Sequence, residues 1–201
     1  MSEDHYFTAQ PASADERRLV PVILAGHDVH VETAGGVFSP AHVDLGTQVL
    51  LRHVPEPRGH VLDVGCGWGP VALEAALRGA DAVTAVDVNE RALDLLRRNI
   101  ARLGAHHPLA PVHVLRPDEV PADASFDTLW SNPPIRIGKD ALHGLLARWL
   151  PRVAPGGDAY LVVQKNLGAE SLARWIGDQG WGDVDRIANS KGFRVLRLTR
   201  A

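Results

Sequence analysis

The stretch His60-Val61-Leu62-Asp63-Val64-Gly65-Cys66-Gly67-Trp68-Gly69 constrains this chain more than any other. A short apolar run ends in an acid and passes at once into three glycines at alternating positions. The pattern predicts a strand over 60–64, a tight turn, and a helix over 69–79. Glycines belong in such a turn because a ligand must approach the backbone there without meeting a Cβ. A nicotinamide-dinucleotide fingerprint would space them G-x-G-x-x-G, with helix N-terminal amides facing a pyrophosphate. Here the third glycine comes one residue early and Pro70 holds its place. Asp63 sets a carboxylate beside the loop, which repels a pyrophosphate but suits the ammonium group of a methionine moiety. The acid therefore favours S-adenosylmethionine over a dinucleotide.

Downstream, apolar runs alternate with amphipathic stretches, as in α/β folds built on a mostly parallel sheet. Strands are expected near 60–64, 82–87, 111–115, 126–131 and 158–163, and helices near 69–79, 89–103, 139–150 and 169–178, the second capped by Asn89. Upstream, Val29-His30-Val31, the glycines of Ala34-Gly35-Gly36, and Val37-Phe38 read as a β-hairpin, followed by a helix from Thr47 to His53. The tail from Trp181 to Leu198 holds two strand-like runs around Lys191-Gly192, an antiparallel pair at the sheet edge. Residues 1–18 are polar and read as a surface arm or a short helix. A single domain over 19–201 is expected.

Composition narrows the classes. With 45% hydrophobic and 22% charged residues the 201-residue chain is an ordinary globular one. A net charge of −3 gives no global attraction to phosphate, so any nucleic-acid contact must be a local basic patch. The one cysteine, Cys66, forms no internal disulfide, and between two glycines it reads as a small residue rather than a nucleophile. Neither an apolar leader nor a run of about 18 apolar residues is present, so a cytoplasmic location is expected, away from membranes. His27 with His30, and His106 with His107, lack metal-ligand spacing, so no metal is expected.

Two further acids and one tetrapeptide carry the chemistry. Asp87 ends the second strand of the α/β unit, where such sites place an acid to accept from ribose hydroxyls. Asp118, after the third, either accepts from the adenine amino group or caps its own loop. Ser131-Asn132-Pro133-Pro134-Ile135 follows the apolar run Phe126 to Trp130 directly. Its prolines halt the strand and leave carbonyls and the Asn132 side chain in the crevice at the strand's carboxyl end. The Asn132 carbonyl oxygen and the Pro133 carbonyl suit a planar exocyclic amine, which they would orient toward a sulfonium methyl without metal or strong base.

Asp63 to Gly69, Asp87, and Asn132 to Ile135 resemble the class I methyltransferases. His5-Tyr6-Phe7, Gly36-Val37-Phe38-Ser39, Asp44-Leu45-Gly46-Thr47, Arg136-Ile137-Gly138-Lys139 and Lys191-Gly192-Phe193-Arg194-Val195-Leu196 narrow the likeness to the methyltransferase small domain family, which includes bacterial small-subunit rRNA guanine-N2 methyltransferases and compact archaeal relatives. The resemblance implies a Rossmann-like seven-stranded sheet, mostly parallel with its last strand antiparallel, helices on both faces, and an extra N-terminal β-hairpin. It implies S-adenosylmethionine over Gly65, Cys66, Gly67 and Gly69, with Asp63, Asp87, Val88, Asp118, Phe38, Thr47 and Asn132 as its other contacts. It implies methyl transfer to a base amine at Asn132, Pro133, Pro134 and Ile135, most readily guanine N2 in small-subunit rRNA, leaving S-adenosylhomocysteine.

Ile135 stands where many relatives carry an aromatic residue, so stacking on the base is either weaker or comes from elsewhere, with Tyr6, Phe7 and Phe193 the candidate rings. Arg136, Lys139 and Arg194, joined by Lys165 and Lys191, are the candidate grip on RNA phosphates. The two-domain bacterial relatives carry a further N-terminal domain, so docking is expected to use this domain, its arm or a partner. A monomer or weak dimer is expected. A protein glutamine or an adenine amine would suit Asn132-Pro133-Pro134 as well, and a non-catalytic cofactor-binding module acting in ribosome assembly is the reading outside enzymes.

Overall fold

A computed structural model describes residues 16–201. The expected ring donors Tyr6 and Phe7, and most of the expected arm, lie outside the described residues. Two strands, β1 (Arg18–Leu24) and β2 (His27–Thr33), form an antiparallel hairpin, and α1 (Leu45–His53) follows. Strands and helices then alternate: β3 (His60–Val64), α2 (Pro70–Leu77), β4 (Ala82–Val86), α3 (Glu90–Gly104), β5 (Val112–Leu115), β6 (Phe126–Ser131), α4 (Lys139–Trp149), β7 (Val153–Gln164) and α5 (Ala169–Asp178). The chain ends in β8 (Gly182–Ser190) and β9 (Phe193–Arg200).

The seven-stranded sheet runs β5-β4-β3-β6-β7-β9-β8. The first five of these strands are mutually parallel, and β9 is antiparallel to both neighbours. The terminal pair is thus the expected edge hairpin, with the last strand slotted inside and β8 forming the rim. The chain moves outward from β3 to β5 and then restarts on the other side of β3 with β6. The loops after β3 and β6 therefore diverge, and that reversal opens the crevice in which α/β sheets bind ligands.

Side-chain alternation along the strands builds two cores. Val61, Val83, Ala85, Trp130 and Val162 face a cluster formed with α1, α2, α3 and the hairpin. Leu62, Val64, Val86, Leu129, Leu161 and Val163 face a second cluster formed with α4 and α5. The sheet is covered on both faces, as a central parallel sheet must be.

The hairpin departs from the expected one. His27 to Thr33 is its second strand, paired with Arg18–Leu24 in the register Leu24↔His27. The two-residue turn is Ala25-Gly26, both at positive φ (48° and 79°), the type I′ geometry that suits the twist of paired strands. The glycines at 35 and 36 make an irregular crossing instead, and Val37-Phe38 is not a strand. Pro21 sits in β1, tolerated because β1 pairs on one side only. The hairpin is tied to the sheet domain through buried Asn99 of α3. Its Oδ1 accepts from the Glu32 N–H (2.6 Å), and its Nδ2 donates to the carbonyls of Glu32 and Trp68 (3.0 Å each).

Candidate active site

The carboxyl ends of β3, β4, β6 and β7 surround a cavity of about 360 Å³. Gly65, Gly67, Asp87, Val88 and Pro117 wall one side; Asn132 to Arg136, Gln164, Phe193, Phe38 and Asp44 wall the other. A small recess shares Phe38, Asp44, Gly65, Gly67 and Asn132 with it and adds Thr47, Cys66 and Trp68.

The glycine turn shows why it is no pyrophosphate cradle. The N–H groups of Gly65 and Cys66 donate to the Val86 carbonyl (2.9 and 3.1 Å), and that of Gly67 donates to Asp87 Oδ2 (2.9 Å). These amides are spent within the protein and leave no nest for phosphate oxygens. A Cβ on Gly65 or Gly67, both at positive φ, would point into open space. Gly69 differs: its φ of 104° strains any side chain, and a Cβ there would also meet Leu96 Cδ1 of α3 at 2.2 Å and push that side chain aside.

Two carboxylates sit behind the turn. Asp63 is buried, with Oδ2 accepting from the Ala72 N–H of α2 (3.0 Å). Burial pushes its carboxyl well above the ordinary range, and the Asp87 charge pushes the same way. Burial raises Asp87 too, partly offset by N–H groups of Asn89, Gly67 and Val88. Neither has an ion-pair partner among the described residues. A pair of buried acids without a cation makes the turn favourable to a positively charged ligand group. Asp87 faces the cavity, whereas Asp63 lies behind its wall. Burial and both acids push the Cys66 thiol up, which disfavours the thiolate a nucleophile needs.

The opposite wall centres on Asn132. Its Nδ2 donates to Asp44 Oδ2 and to Thr47 Oγ1, 3.0 Å each. Asp44 Oδ2 also accepts from the N–H groups of Gly46 (2.8 Å) and Thr47 (3.3 Å) as the N-cap of α1. An oxygen that accepts three hydrogen bonds needs donors around it, which fixes the Asn132 amide with nitrogen toward Asp44. Both amide hydrogens are thereby used, and Asn132 Oδ1 and the Pro133 carbonyl receive no donor among the described residues. Ser131 Oγ donates to the Val64 carbonyl (2.7 Å), locking the end of β6 to the end of β3 just before this group. The segment between β2 and α1 closes the site and is anchored at four points. Asn89 Nδ2 and Arg91 donate to the Gly36 and Gly35 carbonyls, Trp68 Nε1 to Ser39, and Thr33 Oγ1 to Pro40.

Other expected site residues fall elsewhere. Thr47 places its hydroxyl on Asn132, in the small recess. Asp118 is exposed and paired with Arg116 (3.2 Å), while its neighbour Pro117 reaches the cavity. Arg194 is ion-paired with Glu170, which also pairs with Arg186, so it is occupied as a structural cation. Arg136 lines the cavity; Lys139, Lys165 and Lys191 are exposed outside it. Phe193, one of the candidate rings, lines the cavity with its ring against Gly46, and Ile135 lines the same cavity. Asp44 and Gln164 were not among the expected residues. An aspartate immediately before a helix is a cap signal that could have found Asp44, had the helix been started at Leu45 instead of Thr47; Gln164 ends an apolar strand and carries no such mark.

The sequence profile of the methyltransferase small domain matches residues 28–197. The chain belongs to that family. An uncharacterised family-sized relative, YbxB of Bacillus subtilis, is 30% identical over the full length of both chains. Ribosomal RNA small subunit methyltransferase C of Pseudomonas entomophila is 32% identical over 98% of this chain and 58% of its own. The T. thermophilus 16S rRNA N2 methyltransferase RsmC, solved in complex with AdoMet and guanosine, superposes with a TM-score of 0.78 at 25% identity, over 95% of this chain and 52% of that one. This methyltransferase chain thus spans about half the length of the rRNA methyltransferases it matches. A Pyrococcus furiosus methyltransferase shares the fold at 21% identity and a TM-score of 0.61.

Proposed function

We propose that this chain transfers the methyl group of S-adenosylmethionine to an exocyclic amine of an RNA base, guanine N2 in small-subunit rRNA. The observation that carries the reading is the Asn132 amide at the cavity, whose hydrogens are both engaged while its oxygen and the Pro133 carbonyl receive no donor among the described residues. Two acceptors side by side match the two N–H donors of a planar amine. The donor supplies an electrophilic methyl on a cationic sulfur, and the acid pair behind the glycine turn favours such a cation. Asp87 would accept from the ribose hydroxyls, and Val88, Pro117 and Ala92 would give the adenine an apolar wall.

The chemistry asked of the protein is placement. Asn132 Oδ1 and the Pro133 carbonyl hold the amine so that its nitrogen faces the methyl, and they stabilise the positive charge that grows on it as the N–C bond forms. The proton then passes to water, and S-adenosylhomocysteine remains. Ile135 and Phe193 provide apolar faces for the base. Arg136 at the cavity and the exposed Lys139, Lys165 and Lys191 are the cations that would meet RNA phosphates, whereas Arg194, paired with Glu170, would not. Guanine as the base is supported by the rRNA methyltransferase relatives and by the guanosine in the T. thermophilus complex. A cytoplasmic location goes with that substrate.

The test is transfer of labelled methyl from S-adenosylmethionine to small subunits, naked rRNA, tRNA and protein from a strain lacking the gene, followed by nucleoside analysis. Label in N2-methylguanosine that falls steeply with Asn132→Ala, to a residual rate still measurable at long times, is the expected result. Label in adenine or in protein glutamine would move the substrate. Cofactor binding with no label anywhere would favour the assembly-module reading.

A further inference from the structure

We infer that Asp44 is the positioning residue of this site, setting through Asn132 which face of the amide the substrate meets. The inference rests on the transfer reading above and assigns a role that reading does not need. A free asparagine side chain presents its oxygen or its NH2 with little preference, and only the oxygen can hold a donor amine. Here the choice is made by α1. Asp44 Oδ2 is fixed at the N-terminus of that helix by two backbone N–H groups, and its main-chain carbonyl accepts from Gln48 N (2.8 Å). From that fixed place it takes one Asn132 hydrogen, and Thr47 Oγ1 takes the other. Turning the amide over would set its oxygen against a carboxylate oxygen, an opposition without a shared proton. The carboxylate also draws density through the amide onto Oδ1, which strengthens that oxygen as an acceptor for an amine gaining charge. Asp44 therefore acts at one remove, on the loop side of the cavity it also lines.

A cap-only role for Asp44 is separable from this one. Serine caps a helix as well as aspartate does but is one atom shorter, so Asp44→Ser keeps the cap and withdraws the partner of Asn132. Asparagine keeps both, without the charge. The expected order of kcat is wild type, then Asp44→Asn within about tenfold, then Asp44→Ser lower by about 10–100-fold. The Kd of S-adenosylhomocysteine should stay within about twofold throughout. In an Asn132→Ala background, Asp44→Ser should cost nothing more, because its effect runs through Asn132. The Asn132 side-chain amide resonances give a reading free of turnover: two protected Nδ2 protons in the wild type, retained in Asp44→Asn and lost in Asp44→Ser. Wild-type kcat in Asp44→Ser, multiplying losses in the double variant, or unmoved Asn132 resonances would each overturn the inference. Protected resonances that respond as described in a protein that methylates nothing would uphold the clamp and sink the transfer reading instead.

Discussion

Gly46 offers a direct check on the packing of the acceptor wall. It is the second residue of α1 and has ordinary helical backbone, so alanine meets no conformational objection and brings up to about 1 kcal/mol of helix propensity. The objection is steric. A Cβ at this position would stand 2.9 Å from Asp44 Oδ2, 2.9 Å from Phe193 Cε1 and 3.3 Å from Phe193 Cδ1. Ordinary contact begins near 3.4 Å, so the carboxylate and the ring must each give way by about half an ångström. Asp44 is held by three hydrogen bonds and resists; Phe193 sits on the antiparallel strand β9 and moves only by changing the cavity wall. Overpacking of this size costs about 1–3 kcal/mol. Set against the propensity gain, Gly46→Ala should lose up to about 3 kcal/mol, a fall in Tm of at most about 12 °C for a chain of this size. Misplacement by about 1 Å costs about a hundredfold in rate, so half that displacement predicts about a tenfold loss of methyl transfer. Thermal melts and single-turnover transfer on the same preparation measure both. A higher Tm with an unchanged rate would refute the packing of Phe193 and Asp44 around this glycine.

Asp63→Asn keeps the acceptor for the Ala72 N–H and removes a buried charge. Because the folded carboxyl is raised, its contribution to stability is present below the unfolded pKa and lost as pH rises through the folded one. The variant should therefore melt higher than wild type at pH 8, about 2–4 °C for each kcal/mol recovered, with the gap closing toward pH 4 and with weaker S-adenosylhomocysteine binding; a lower Tm at pH 8 would count against it. Asp87 protonates at higher pH than an exposed carboxylate, again from burial, and once protonated it loses an acceptor for ribose hydroxyls. S-Adenosylhomocysteine should bind more weakly at pH 5 than at pH 7.5, and calorimetry on Asp87→Asn should show a weaker and flatter profile. Lys165→Ala and Lys191→Ala should each reduce the salt slope of RNA binding by about 0.7, as expected for one single-strand phosphate contact, while Arg194→Ala, already paired with Glu170, should leave the slope unchanged.

The parts of the fold read correctly from the sequence are those whose signal is local. The turn after β3, the acid directly after β4 and the prolines after β6 are short patterns whose meaning lies in backbone geometry, and α5 begins and ends where its periodicity does. The parts misread depend on partners remote in sequence. The glycines at 35 and 36 look like a hairpin turn, yet their carbonyls are claimed by Asn89 and Arg91, more than fifty residues away. The true turn, Ala25-Gly26, was masked because β1 is a nearly continuous apolar run interrupted by Pro21. β7 extends back to Val153 through Pro155-Gly156-Gly157, a triplet that reads as a loop and lies within the strand as a bulge between the pairs Phe126↔Val153 and Thr128↔Asp158. Arg194 looked available because only the fold brings Glu170 to it.

The same distinction explains how the site is assembled. The sheet by itself supplies a cofactor side, since the glycine turn and Asp87 come from adjacent strands and bond to one another. It does not by itself orient an acceptor: Asn132 emerges from β6 with a side chain that either amide face would fit. What fixes that side chain comes from the region before β3, where Asp44 and Thr47 start α1. That helix is in turn placed by the segment 34–44, which is pinned to Trp68, to the start of α3 and, through Thr33, to β2. Trp68 belongs to the glycine turn, and its carbonyl is held by the Asn99 that also grips Glu32 of the hairpin. The hairpin and the crossing after it are therefore the frame that connects the cofactor wall to the acceptor wall, and side-chain-to-main-chain hydrogen bonds hold that frame together.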